Sequence, residues 1–167
     1  MTRVRRGRPA DRRRLFAIQS VALAEPWRDL LALALDGAPL LLVADRDDGT
    51  GPVGYALAVT GDDSRESSET STKGAGHSGR PTGYLVELAV APGERGRGHG
   101  TALLDALVDH LRRAGVDRLR VTARAVDDRA LSFYRDNGFE RRERLPGRYE
   151  SGDGVLLVRE IHPGESE

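Results

Sequence analysis

Apolar and polar positions along the chain alternate between two periods. Val4 to Arg8 has the length of a short edge strand, closed by Pro9. Beyond it Leu15, Ile18, Val21 and Ala22 fall at helical spacing behind Asp11, a residue type that caps helix N-termini. Pro26-Trp27 opens a second helical stretch, with Leu30, Leu31, Ala34 and Leu35 inward and Gly37 at its end. Leu40 to Ala44 is a continuous apolar run of strand length, and Val53 to Val59 returns from it across Asp47-Asp48-Gly49. Tyr84 to Ala91 is a further strand, stopped by Pro92. A long amphipathic helix follows, with Leu103, Leu104, Leu107, Val108 and Leu111 on its core face. Arg112-Arg113 suit the negative C-terminal end of that helix, and Gly115 ends it. Val116 to Ala125 is a strand, Ala130 to Asp136 a short helix capped by Asp127, and Phe139 to Leu145 and Val155 to Ile161 a final strand pair. The predicted order is β-α-α-β-β-β-α-β-α-β-β. This is an α/β fold on a mixed sheet, with helices on both faces. The early strands are antiparallel, and the strand–helix–strand unit in the middle forces a parallel pair.

Residues 61–80 break the pattern. Asp62-Asp63-Ser64, Ser67-Ser68, Thr70-Ser71-Thr72 and several glycines contain no large apolar residue, so the segment cannot bury itself and reads as a mobile hairpin loop. The expectation is one domain over residues 1–167.

Composition narrows the chemistry. The chain has 167 residues and no Cys, which excludes disulfides, a thiolate nucleophile and cysteine metal sites. The 26 Lys+Arg balance 26 Asp+Glu, so a globally basic nucleic-acid binder is not expected. Lys73 is the one lysine and lies in the Ser/Gly-rich stretch, which suits neither a Walker-type phosphate loop nor a Schiff base. His77, His99, His110 and His162 show no ligand spacing, and no metal is expected. No apolar run has the length of a membrane span or follows the N-terminal arginines as a signal peptide would, so the expected location is the cytoplasm and no membrane partner is expected. Arg3, Arg5, Arg6, Arg8, Arg12, Arg13 and Arg14 crowd the first twenty residues; they are read as a strand followed by a solvated helix face.

Arg95-Gly96-Arg97-Gly98-His99-Gly100 lies between a strand and an amphipathic helix. Helix N-termini expose unpaired N–H groups, and glycines let a phosphate approach them without a Cβ in the way. The run suits a pyrophosphate. A dinucleotide G-x-G-x-x-G fails in both registers, because the third glycine position holds Thr101 or Leu103.

Together with Leu88-Ala89-Val90-Ala91-Pro92 before it, and Asp127-x-x-Ala130-x-x-Phe133-Tyr134 and Asn137-Gly138-Phe139 after it, this run resembles the general-control-related N-acetyltransferase (GNAT) superfamily. Pro26-Trp27, Arg148-Tyr149 and Gly152-Asp153-Gly154 resemble the ribosomal-protein-alanine N-acetyltransferases within it. The resemblance implies acetyl-CoA as co-substrate, its pyrophosphate on the amides of Gly96 to Thr101 with Arg95, Arg97, His99 and Asp127 close by, and its pantetheine arm along Leu88, Ala89 and Val90. It implies Tyr134 as general acid on the leaving thiolate and Tyr149 as a residue holding the acceptor. Related enzymes often carry a Glu on the strand after the long helix. Thr122 stands there, so Glu87 is the candidate general base and a substrate-binding residue. Asp127 replaces the more usual Asn; either can cap the helix. The acceptor expected is a peptide or protein N-terminus. A small-molecule amine (polyamine, aminoglycoside or amino acid) and a non-catalytic acyl-CoA-binding module stay open as alternatives, as does a homodimer.

Overall fold

The computed structural model describes residues 2–62 and 81–162. The segment read as a mobile loop lies, from residue 63 to residue 80, outside the described residues. The elements are β1 (Arg3–Arg6), α1 (Arg12–Ala22), α2 (Arg28–Leu35), β2 (Leu40–Asp45), β3 (Pro52–Asp62), β4 (Pro81–Val90), α3 (His99–Arg113), β5 (Arg118–Arg124), α4 (Asp128–Asp136), β6 (Glu140–Tyr149) and β7 (Gly152–Glu160). Strands stand in the order β1-β2-β3-β4-β5-β7-β6, and among the described residues only β4 and β5 pair in parallel. The predicted element order is therefore the observed one, with β6 running further than expected and ending on Tyr149.

The apolar run of β2 is continuous because both faces of the sheet are covered. Leu41 and Val43 face α1 and α2 with Leu15, Ile18, Leu31, Tyr55 and Leu57. Leu42 and Ala44 face α3 with Ala56, Leu103, Leu104 and Leu107.

Two expectations fail at the first helix. Val21 is 68% exposed rather than inward. At 100° per residue it lies well off the stripe of Leu15, Ile18 and Ala22, and the buried Gln19 completes that stripe instead. Asp11 makes no side-chain cap on α1. Its carboxylate accepts from the Arg8 amide at 2.8 Å and from both terminal nitrogens of Arg5. Arg5 also reaches Asp45, at 2.7 Å. Arg5, on the strand among the seven N-terminal arginines, is thus a structural cation between β1, β2 and the start of α1. The Arg5 guanidinium holds the Asp11 carboxyl below its usual range, against the opposing effect of burial.

Two local features open the sheet. The β3–β4 register passes from Leu57↔Glu87 to Ala58↔Leu85, so Val86 is an extra residue, a β-bulge. The bulge resets the alternation, so Leu85 and Leu88 face α3 while Ala89 faces α1. The parallel β4–β5 ladder joins Thr82–Leu85 to Arg118–Val121 and stops there. Past it, Val86–Val90 and Thr122–Arg124 diverge, and β5 continues only along β7.

Candidate active site

A cleft of about 630 Å³ occupies the fork on the α3 side, within the range of small-molecule sites. Its floor is Leu88, Ala89 and Val90, and its far wall is Arg124, Asp127, Phe133 and Tyr134. Its near wall is the N-terminal turn of α3. Gly96 and Gly98 have φ of +79° and +85°, and among the described residues no atom stands within 4 Å of where a Cβ would be at either. Left-handed backbone there costs glycine nothing and leaves the amides open. Gly98 is the N-cap of α3 and supplies no side-chain cap, which leaves the first amides of the helix to a ligand. At Gly100 a Cβ would meet Phe133 at 3.0 Å, so glycine also sets how closely α3 and α4 approach.

The sequence-derived cofactor residues are brought together here with one exception. Arg95, Gly96, Gly98, His99, Gly100, Thr101, Asp127 and Tyr134 line the cleft beside Leu88–Val90. Arg97 does not line it; its largely exposed side chain turns back to Glu94 at 3.4 Å. Asp127 caps α4, accepting from the Ala130 amide at 3.1 Å.

Glu94 was not foreseen. This buried carboxylate in the turn before the glycine run pairs with Arg46 of the β2–β3 turn at 2.6 Å. His99 packs beside it, with Nε2 at 3.5 Å from Glu94 and Nδ1 at 2.9 Å from the Thr2 hydroxyl. An acid two residues after a proline carries no signal of such pairing, which comes only from the turn of a distant hairpin.

A second, smaller cavity of about 180 Å³ lies on the α1–α2 side of the fork. Leu23 and Glu25 from the α1–α2 connection line it, with Val86, Glu87, Thr122, Ala123 and Tyr149. Tyr149 donates to the Thr122 hydroxyl at 3.2 Å, which seats the ring over the position where a glutamate was sought. Arg124, Asp127, Ala130 and Tyr134 line both cavities. Tyr134 packs edge-on between Phe133 and Phe139, with ring centroids 5.4 and 5.3 Å away. Burial, with Tyr149 and Asp127 nearby, pushes its hydroxyl above the usual phenol range. It is therefore protonated at neutral pH and can donate.

Glu87 lines the second cavity but is heavily engaged. Oε1 accepts from Gln19 Nε2 at 2.9 Å and from the Tyr55 hydroxyl at 3.0 Å. Oε2 accepts from the Trp27 amide at 2.7 Å. Burial, then the Glu87 charge, pushes the Tyr55 hydroxyl far above the phenol range. Gln19 and Tyr55 also escaped the sequence reading. The available signal was a glutamine on the apolar stripe of α1. Among the described residues no group of three His, Asp or Glu side chains could hold a metal, and no helix is long and apolar enough to cross a membrane.

The site thus joins a strand fork, a glycine-lined helix N-terminus on one side and a phenol at the junction of two cavities. The model of the Acetyltransferase (GNAT) family matches residues 9–139, and the chain belongs to that family. A mycothiol acetyltransferase of Propionibacterium freudenreichii subsp. shermanii is 38% identical over 68 residues, 41% of this chain and 22% of the relative. The chain thus spans about a fifth of the length of that relative. Among solved structures, Arabidopsis thaliana NAA60 in complex with a bisubstrate analogue matches 98% of the chain and 100% of its own, with TM-score 0.82 and 20% identity. The ribosomal-protein-S18-alanine N-acetyltransferase of Escherichia coli matches 100% and 99%, with TM-score 0.73 and 21% identity. At such identities these two structures show the fold.

Proposed function

We propose that the chain is a single acyltransferase domain that moves an acetyl group from acetyl-CoA directly onto a primary amine, most favourably the α-amine of a protein N-terminus. The observation that carries this reading is the pair of cavities meeting at Tyr134. The larger suits the donor and the smaller the acceptor, so the phenol stands where the acyl group changes hands. The residues present fit the donor. Open amides at Gly96 to Thr101 suit a pyrophosphate, Arg95 adds charge, and the unpaired edge of Leu88–Val90 offers strand-like partners to a pantetheine arm.

The chemistry follows from what these groups can hold. The acceptor nitrogen attacks the thioester carbonyl, a C–N bond forms and the C–S bond breaks. In this reading the amide of Val90 donates to the developing oxyanion. Tyr134 gives its proton to the departing sulfur, the nitrogen sheds its surplus proton to solvent as the amide forms, and the phenol regains a proton from solvent. With no Cys in the chain, no cysteine acyl-enzyme intervenes. An α-amine has a pKa near 8, so a share of it is neutral at physiological pH and needs little help to lose its proton. The name of the ribosomal-protein-S18-alanine N-acetyltransferase, whose acceptor is a protein alanine, supports a protein amine as acceptor.

A small-molecule acceptor is the second reading, favoured by the mycothiol acetyltransferase match. The test is acetyl-CoA turnover, followed by mass spectrometry, against N-terminal peptides, polyamines, aminoglycosides and amino acids. Acetylation at a peptide α-amine is the expected result. Preference for a small amine would shift the substrate class. Binding of CoA with no acetylated product across the panel would favour a non-catalytic binding module.

A further inference from the structure

We propose that Glu87 is a positioning residue for the acceptor loop and not the base that deprotonates the amine. The proposal rests on the acceptor reading of the smaller cavity. Its foundation is the hydrogen bonding of the carboxylate. Three donors from three separate elements converge on it, namely Gln19 from α1, Tyr55 from β3 and the Trp27 amide at the entry to α2. A carboxylate offers about four acceptor positions, and the shortest of the three bonds, at 2.7 Å, is spent on backbone. The side chain is buried, and the bulge at Val86 stands immediately before it in β4.

The bond to Trp27 reaches across 60 residues to fix a connection that no helix or strand ladder holds. That connection carries Leu23 and Glu25 into the acceptor cavity. Glu87 thereby sets the position of the cavity wall, while protein donors already take three of its about four acceptor positions.

The arrangement also separates the two roles experimentally. Gln19 Oε1 is buried and, among the described residues, has no hydrogen-bond partner. In Glu87→Gln the new amide oxygen can keep the Trp27 bond. Its NH2 can then meet Gln19 Oε1 after that amide turns over. The substitution removes basicity and leaves the tie to the loop intact, whereas Glu87→Ala removes both.

The readouts are acceptor KM, acetyl-CoA KM, the pH profile of kcat, and the fluorescence of Trp27. It is the only tryptophan of the chain and 56% exposed, so acrylamide quenching reports on the loop without a label. In Glu87→Ala, Trp27 should become markedly more quenchable and acceptor KM should rise about tenfold with acetyl-CoA KM unchanged. In Glu87→Gln, kcat should keep its acidic limb and fall by less than about tenfold, and Trp27 quenching should stay far closer to wild type than in Glu87→Ala. A loss of at least about 100-fold in kcat for Glu87→Gln, with the acidic limb gone and Trp27 unchanged, would overturn the proposal in favour of a base. Unchanged Trp27 quenching in a folded Glu87→Ala would also overturn it. Where Glu87→Ala does not fold, the kcat of Glu87→Gln decides alone. If no amine is acetylated by wild type, the acyltransferase reading fails, and the Trp27 measurements still decide the tie.

Discussion

The two cavities that meet at Tyr134 are built on opposite plans. The larger is made of main chain: open amides at a helix N-terminus, glycines with positive φ, and an unpaired strand edge. Its residues are nearly consecutive, from Leu88 to Thr101, with α4 closing it. The smaller is made of side chains drawn from Leu23, Glu87, Thr122 and Tyr149, which only the fold brings together. A surface of backbone donors depends on conformation and tolerates few changes of backbone geometry. A surface of side chains can be re-cut one residue at a time. On the proposed assignment of the cavities, donor recognition is the fixed half of this fold and acceptor recognition the adjustable half.

Substitutions can break or sharpen that division. The largest effect should come where the halves meet. Tyr134→Phe should lower kcat about 100-fold, the scale of a lost general acid, with CoA affinity by calorimetry unchanged. Because the folded-state value of Tyr134 is raised, the wild-type hydroxyl stays protonated where a free phenol ionises. The kcat profile should therefore show no tyrosine-type fall up to about pH 10. The same sign means that this burial favours the fold below that pH and ceases to as pH climbs through the raised value.

Next comes a change confined to the donor half. Gly98→Ala forces a Cβ into left-handed backbone, at a cost of about 1–2 kcal/mol, and should raise the Kd for CoA about tenfold with acceptor KM unmoved. On the acceptor half, Tyr149→Phe loses only the bond to Thr122, worth about 1 kcal/mol, and should raise acceptor KM about fivefold with CoA affinity unmoved. Crossed effects in these two variants would mean that the cavities act as one site. The smallest effect belongs to Arg97→Ala. Its side chain is exposed and turned to Glu94, so CoA affinity should change by no more than about twofold in calorimetry.

The same contrast explains what could be read from the chain alone. The glycine run, the Asp127 cap and Tyr134 are local, and their chemistry follows from residue types at short spacing. The apolar run of β2 carried its own explanation, since a strand covered on both faces has no polar side. The bulge at Val86 carried none, because it exists only in register with Leu57 and Ala58. Glu87 was legible as a carboxylate in the right strand, but its role turns on Gln19, Tyr55 and Trp27, which sequence separates widely. Asp11 looked like a helix cap. A cation on β1 competes for it, and two charged bonds to Arg5 outweigh one to an amide.

The fork between β4 and β5 has a mechanical meaning as well. Four residue pairs join these strands, against nine between β3 and β4 and seven between β5 and β7. The sheet therefore has an internal seam, and under tension it should part there before the β3–β4 or β5–β7 ladder on either side yields. A molecule lying along Leu88–Val90 would lengthen the bonded edge of that seam. Pulling the chain apart with and without CoA would read occupancy of the cleft as a rise in rupture force.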